Sequence, residues 1–103
     1  MNGNMEFKTT ETEDLRELEA LLFRIVQRMT HRLFTTPRLT QIDVGHAISL
    51  AHRIDDFPYA IKVRKALPEL LRELGKKRPD LHRYILLLEE AARELHALNG
   101  PAE

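Results

Sequence analysis

Residues 15–33, LRELEALLFRIVQRMTHRL, decide the fold. Leu15, Leu18, Leu22, Ile25 and Met29 recur at three- and four-residue spacing, which lines them up on one face of an α-helix. Arg24, Arg28 and Arg32 recur every four residues along the flank of that face. An apolar stripe on an otherwise polar helix has to be buried against neighbours. The stretch therefore predicts a helix packed on other helices, with a basic flank that needs either counter-charge or solvent. Like charges four apart cost an isolated helix a few tenths of a kcal/mol per pair. Asp55, Asp56, Glu89 and Glu90 are the acids expected to answer it from neighbouring helices.

Working outward, Thr10-Glu11-Thr12-Glu13 has the form of a capping box, with Thr10 as N-cap and residues 1–9 a flexible N-terminus. Thr35-Thr36-Pro37 stops the first helix, because the residue before a proline is pushed out of the helical region. Thr40 is the expected N-cap of a second helix through Asp55, with Val44, Ala47, Ile48, Ala51 and Ile54 facing inward. Gly45 lies in its interior, where glycine costs about 1 kcal/mol relative to alanine and can mark a close helix approach. Asp55-Asp56-Phe57-Pro58 reads as a turn. Tyr59, Ile61 and Val63 alternate as in a strand, but a lone strand has no partner, so residues 58–67 read as a short extra helical segment that Pro68 kinks or ends. Gly75 is the expected C-terminal cap, and Pro79-Asp80 opens a last helix through about Leu98. Its inward face holds Leu81, Tyr84, Leu88, Ala91 and Leu95. The fold class expected is all-α, a compact bundle of four main helices, with a single domain over residues 10–99 and a short tail at 100–103. Short connections make neighbouring helices antiparallel.

The chain has 103 residues and no cysteine, which excludes disulfides and thiolate chemistry. Its 16 basic and 16 acidic side chains cancel, so no global field steers it toward nucleic acid or an anionic membrane. The charges are nonetheless sorted: residues 1–23 hold six acids and two bases, 24–38 hold four arginines and no acid, and 62–78 hold seven bases and two acids. No apolar run is long enough to span a membrane, and the N-terminus has no secretory pattern. A cytoplasmic chain is expected.

Catalytic and metal constellations are weak. His46, Ser49, Arg53 and Asp56 share one face of the second helix, but a mid-helix serine has neither a strained turn nor an oxyanion hole. His82, Glu89 and His96 are spaced by seven residues, about 10 Å, too far apart for one ion. No enzyme, cofactor or metal site is expected. Residues 39–54 have the pattern of the first helix of a helix-turn-helix, yet Pro58 interrupts the place where bases would be read.

Two surfaces remain. Phe23 points well over 100° away from the seam of the first helix, and Leu86 lies opposite the inner face of the last. With Arg24, Arg28 and Arg32 they form the expected partner interface. The function expected is a non-catalytic protein-protein interaction or regulatory module, self-associating as a homodimer or held by another protein. The alternative is a nucleic-acid-binding accessory protein whose anion contacts are Lys62, Arg64, Lys65, Lys76, Lys77 and Arg78, with Arg72 among them and the helix-one arginines in support.

Overall fold

The computed structural model describes the backbone of residues 2–31 and 37–100, and the side chains of residues 12–31 and 38–100. Its helices are α1 (Asn2–Thr30), α2 (Pro37–Arg53), α3 (Ala60–Glu73) and α4 (His82–Asn99), and no strand occurs among the described residues. This is the expected all-α bundle. Helix α1 packs on α2 and α4, and α3 packs on the same two, whereas among the described residues no backbone approach brings α1 to α3 or α2 to α4. The four helices therefore stand in a square, in chain order around it.

Side-chain pairs set the directions. Arg28 meets Asp43 and Asp14 meets Arg53, so α1 and α2 run antiparallel. Glu19 meets His96, while Met29 and Thr30 lie beside Leu81 and His82, so α1 and α4 also run antiparallel. The long axis is 52 Å against 25 and 21 Å for the other two. Most of that length is α1, whose 29 residues make a rod of about 44 Å.

The core is one cluster to which every helix contributes. From α1 come Leu18, Leu22, Ile25 and Met29 as the spacing requires, joined by Leu21 and Val26; Leu15 is only partly buried. Val44, Ala47, Ala51 and Ile54 are buried with Leu50, and α4 buries Tyr84, Leu88, Ala91 and Leu95. In α3 the alternation of Tyr59, Ile61 and Val63 dissolves: Val63 is fully buried and Ile61 is 83% exposed. They are two residues of a helix, about 160° apart by the helical rotation.

The element boundaries differ from the sequence expectation at several points. Helix α1 begins at Asn2, so Thr10 lies inside it and is no N-cap. Helix α2 opens on Pro37, whose fixed φ and missing N–H suit a first turn, and this leaves Thr40 buried within the helix. The segment 58–67 is helical from Ala60 but continues through Pro68 to Glu73 as one helix. Its preceding residue Tyr59 holds φ 66°, the left-handed region that an L side chain seldom adopts. Gly75 follows the cap residue Leu74 with its N–H on the Arg72 carbonyl, and it does not use positive φ. Helix α4 starts at His82, two residues after Asp80, and the Asp80 N–H is bound by Glu73. Its end is as expected: Gly100 takes φ 80° and donates its N–H to the His96 carbonyl.

Gly45 marks no close approach. A methyl group placed on it meets nothing within 4 Å. Gly45→Ala is therefore expected to stabilise the fold by about 0.5–1 kcal/mol, through helix propensity and a less flexible unfolded chain. Urea unfolding checks this through a higher midpoint at unchanged slope.

Candidate interaction surfaces

The arginine stripe is answered from within, by a residue the sequence reading passed over. The Arg28 Nε–H donates to Asp43 Oδ2 at 3.0 Å, and Arg24 Nη1 lies 3.6 Å from Asp43 Oδ1. The Asp43 side chain is only 11% exposed, whereas Arg24 keeps about half its surface. Asp55, Asp56, Glu89 and Glu90 do not take this role, because α2 presents Asp43 on the same face as Ala47, Leu50 and Ile54. That periodicity, extended back to residue 43, was the available clue. One carboxylate serves two guanidiniums, so this cluster alone carries one uncompensated positive charge. Arg32 lies outside the described residues.

The polar face of α2 turns out to be a seam with α1. His46 Nε2 lies 3.1 Å from Glu17, and Arg53 donates to Asp14 at 3.0 Å. On the other flank of α1, Glu19 binds α4 through both oxygens, accepting from Asn99 Nδ2 at 2.7 Å and meeting His96 Nδ1 at 2.8 Å. His82, Glu89 and His96 do not converge, and Glu89 pairs with Arg93 instead. Among the described residues, no group of three or more His, Asp or Glu side chains is placed to hold a metal ion, and no helix is long and apolar enough to cross a membrane.

Phe23 is 41% exposed and Leu86 is 55% exposed. Phe23 follows Glu19 by one turn, and Leu86 follows His82 by one turn. Glu19 reaches α4 and His82 lies beside Met29 and Thr30, so both apolar side chains stand on the flank shared by α1 and α4. Arg24 and Arg28 stand on the α2 flank. Of the residues expected to form one interface, the four that are described are thus divided between two surfaces.

The basic segment 62–78 is divided as well. Arg64 is a structural residue: its guanidinium donates to the carbonyls of Ala51 (2.9 Å), Ile54 and Asp55 (3.2 Å), and lies over the Phe57 ring. It closes the C-terminal end of α2, where unpaired carbonyls accumulate. Lys77 and Arg78 are exposed in the turn beyond α3. Lys62 and Lys65 stay on α3 and are joined from α4 by Arg83, which the sequence reading did not group with them. Arg83 stacks on its neighbour Tyr84 at 5.4 Å.

Glu73 is the other buried acid. It accepts from the Asp80 N–H at 2.8 Å and from Lys76 Nζ at 3.1 Å, tying the turn after α3 to the start of α4. The Asp80 N–H, and then Lys76, hold its pKa below the ordinary 4.5. Its place on the stripe of Ala66 and Leu70 was the clue in the sequence.

No protein-family model, curated protein or solved structure matches this chain. Its surfaces therefore have to be read from their own chemistry.

Two expectations follow. Arg64→Ala should destabilise the fold by about 1.5–3 kcal/mol, as expected for lost hydrogen bonds from a charged donor, and Arg64→Lys should recover less than half because a point charge cannot span three carbonyls. Chemical unfolding of both variants measures this. A depressed folded pKa stabilises above the unfolded value and is lost as pH falls through the folded value. Wild type should therefore exceed Glu73→Gln in stability at pH 7, and the difference should shrink steadily as pH drops below 4.5. Unfolding midpoints across an acid series test the sign.

Proposed function

We propose that the chain is a non-catalytic helical interaction module that associates with a second copy through the flank shared by α1 and α4. The observation that carries this reading is Phe23 and Leu86 standing uncovered on that flank, behind which the core is already closed. From the register of Glu19 against His96, the two side chains lie within about 10 Å of each other along the bundle axis. Scattered exposed apolar residues need no explanation, but a phenylalanine and a leucine on one flank of a chain this small form the nucleus of an apolar contact. Self-association also suits the mechanics of the fold. A face presented by two long antiparallel helices is rigid, and a two-fold axis across it would bring each Phe23 near its counterpart.

The reading has a direct test. Sedimentation of the wild-type protein at about 50 µM should give twice the 12.0 kDa chain mass. The double variant Phe23→Ala/Leu86→Ala should weaken association at least tenfold, or about 1.4 kcal/mol, with helical circular dichroism unchanged. A monomeric wild type, or a double variant that associates as well as wild type, overturns the self-association reading.

A further inference from the structure

The adjacent side of the square, between α3 and α4, carries a different surface. Two adjoining cavities of about 420 and 200 Å³ share Glu69, Arg83 and Tyr84, and so make one trough between α3 and α4. Lys62 lines one end and Glu73, with Lys76 in the turn beyond it, the other; residues 62 to 73 span about 16 Å along α3. The cations around it are Lys62, Lys65, Arg72, Lys76 and Arg83, against the carboxylates Glu69 and Glu73. Five positive and two negative groups leave the trough at +3 in a chain whose net charge is zero. Its accessible apolar lining is the partly buried Leu87, with Ala66 and Tyr84 nearly covered beneath. Lys76 is engaged by Glu73, whereas Lys65 and Arg72 make no ion pair with any described residue.

We propose that this trough binds an acidic amphipathic helix of a partner protein. It would lay an aliphatic edge on Leu87 and offer flanking carboxylates to Lys65, Arg72 and Arg83. The inference rests on the reading of the chain as a non-catalytic interaction module, though not on its self-association. Charge complementarity selects this occupant. A span of about 16 Å matches three turns of helix, and an aliphatic edge with acidic flanks repeats the pattern of the trough in opposite sign. Nucleic acid fits it less well. Tyr84 is buried and offers no ring face for base stacking. A neutral chain also lacks the basic field that draws in nucleic acid.

Fluorescence anisotropy on the intact protein tests this. The probe is a labelled helical peptide of about 18 residues, with leucines at i, i+3, i+4 and i+7 flanked by glutamates. Controls are its glutamine counterpart and a single-stranded DNA of about 20 nucleotides. The glutamate peptide should bind at least tenfold tighter than the glutamine peptide and lose at least tenfold in the variant Lys65→Glu/Arg83→Glu, while Lys77→Glu/Arg78→Glu changes it less than about twofold. Glu69→Gln should tighten binding about threefold or more, a gain that misfolding cannot mimic. No saturable peptide binding up to about 1 mM, equal losses in the two charge-reversed variants, or tighter binding of the DNA each overturns the proposal. Sedimentation of Lys65→Glu/Arg83→Glu keeps the two readings apart. A variant that still dimerises but a wild type that binds no peptide refutes the trough alone, and a monomeric protein that binds the peptide refutes self-association alone.

Discussion

Everything else in this molecule depends on the burial of one face of α1. Leu18, Leu21, Leu22, Ile25, Val26 and Met29 are all at most 8% exposed. Burying side chains of this size is worth about 1.5–3 kcal/mol each, whereas an exposed ion pair contributes about 0–1 kcal/mol. The apolar face therefore supplies the stability, and no rearrangement of surface charge can compete with it. Because the face is wide, with Leu21 toward one side and Val26 toward the other, a single partner helix does not cover it. Two helices are needed, and α2 and α4 take the two sides, which leaves α3 to close the square by packing on both.

The polar groups then determine how those helices sit. Asp14, Glu17 and Asp43 align α1 with α2, and Glu19 aligns it with α4. Apolar seams tolerate sliding by a turn, since one leucine can replace another in the same hollow. A carboxylate held by two partners does not. Glu19, grasped by His96 and Asn99, and Asp43, grasped by Arg24 and Arg28, penalise any slipped register by leaving charge unpaired. Arg64 and Glu73 do the same for the chain turns, one closing the end of α2 and the other holding the start of α4. With so many charges used internally, the surfaces proposed for partners are ones this system does not absorb: the apolar flank of α1 and α4, and the basic trough between α3 and α4.

How much of this was legible in the sequence differs by kind of feature. The inner faces of α1, α2 and α4 were readable because a helix repeats every 3.6 residues whatever lies next to it. Residues 59–66 were ambiguous because Tyr59, Ile61 and Val63 satisfy a two-residue period by chance, and only packing shows that Val63 faces in and Ile61 faces out. Asp43 and Glu73 were passed over because acids are expected outside. Their burial is tolerable only through Arg28 on one side and the Asp80 N–H on the other, partners 15 and 7 residues away along the chain. Phe23 and Leu86 are exposed outside the core, as their helical positions predict, but Arg24 and Arg28 lie on another flank.

By itself, then, the sequence determined that this chain is helical, where its apolar faces lie and that its charge is sorted into acidic and basic stretches, because these are properties of residues near one another along the backbone. Which charges meet was decided only by the tertiary structure. Arg64 reads as part of a basic patch until α2 ends beside it, and Arg83 reads as an isolated surface cation until α4 folds back along Lys62 and Lys65. Electrostatic pairing acts over a few ångströms in space, with no regard for distance along the chain. The trough between α3 and α4 exists only once two segments have been laid side by side.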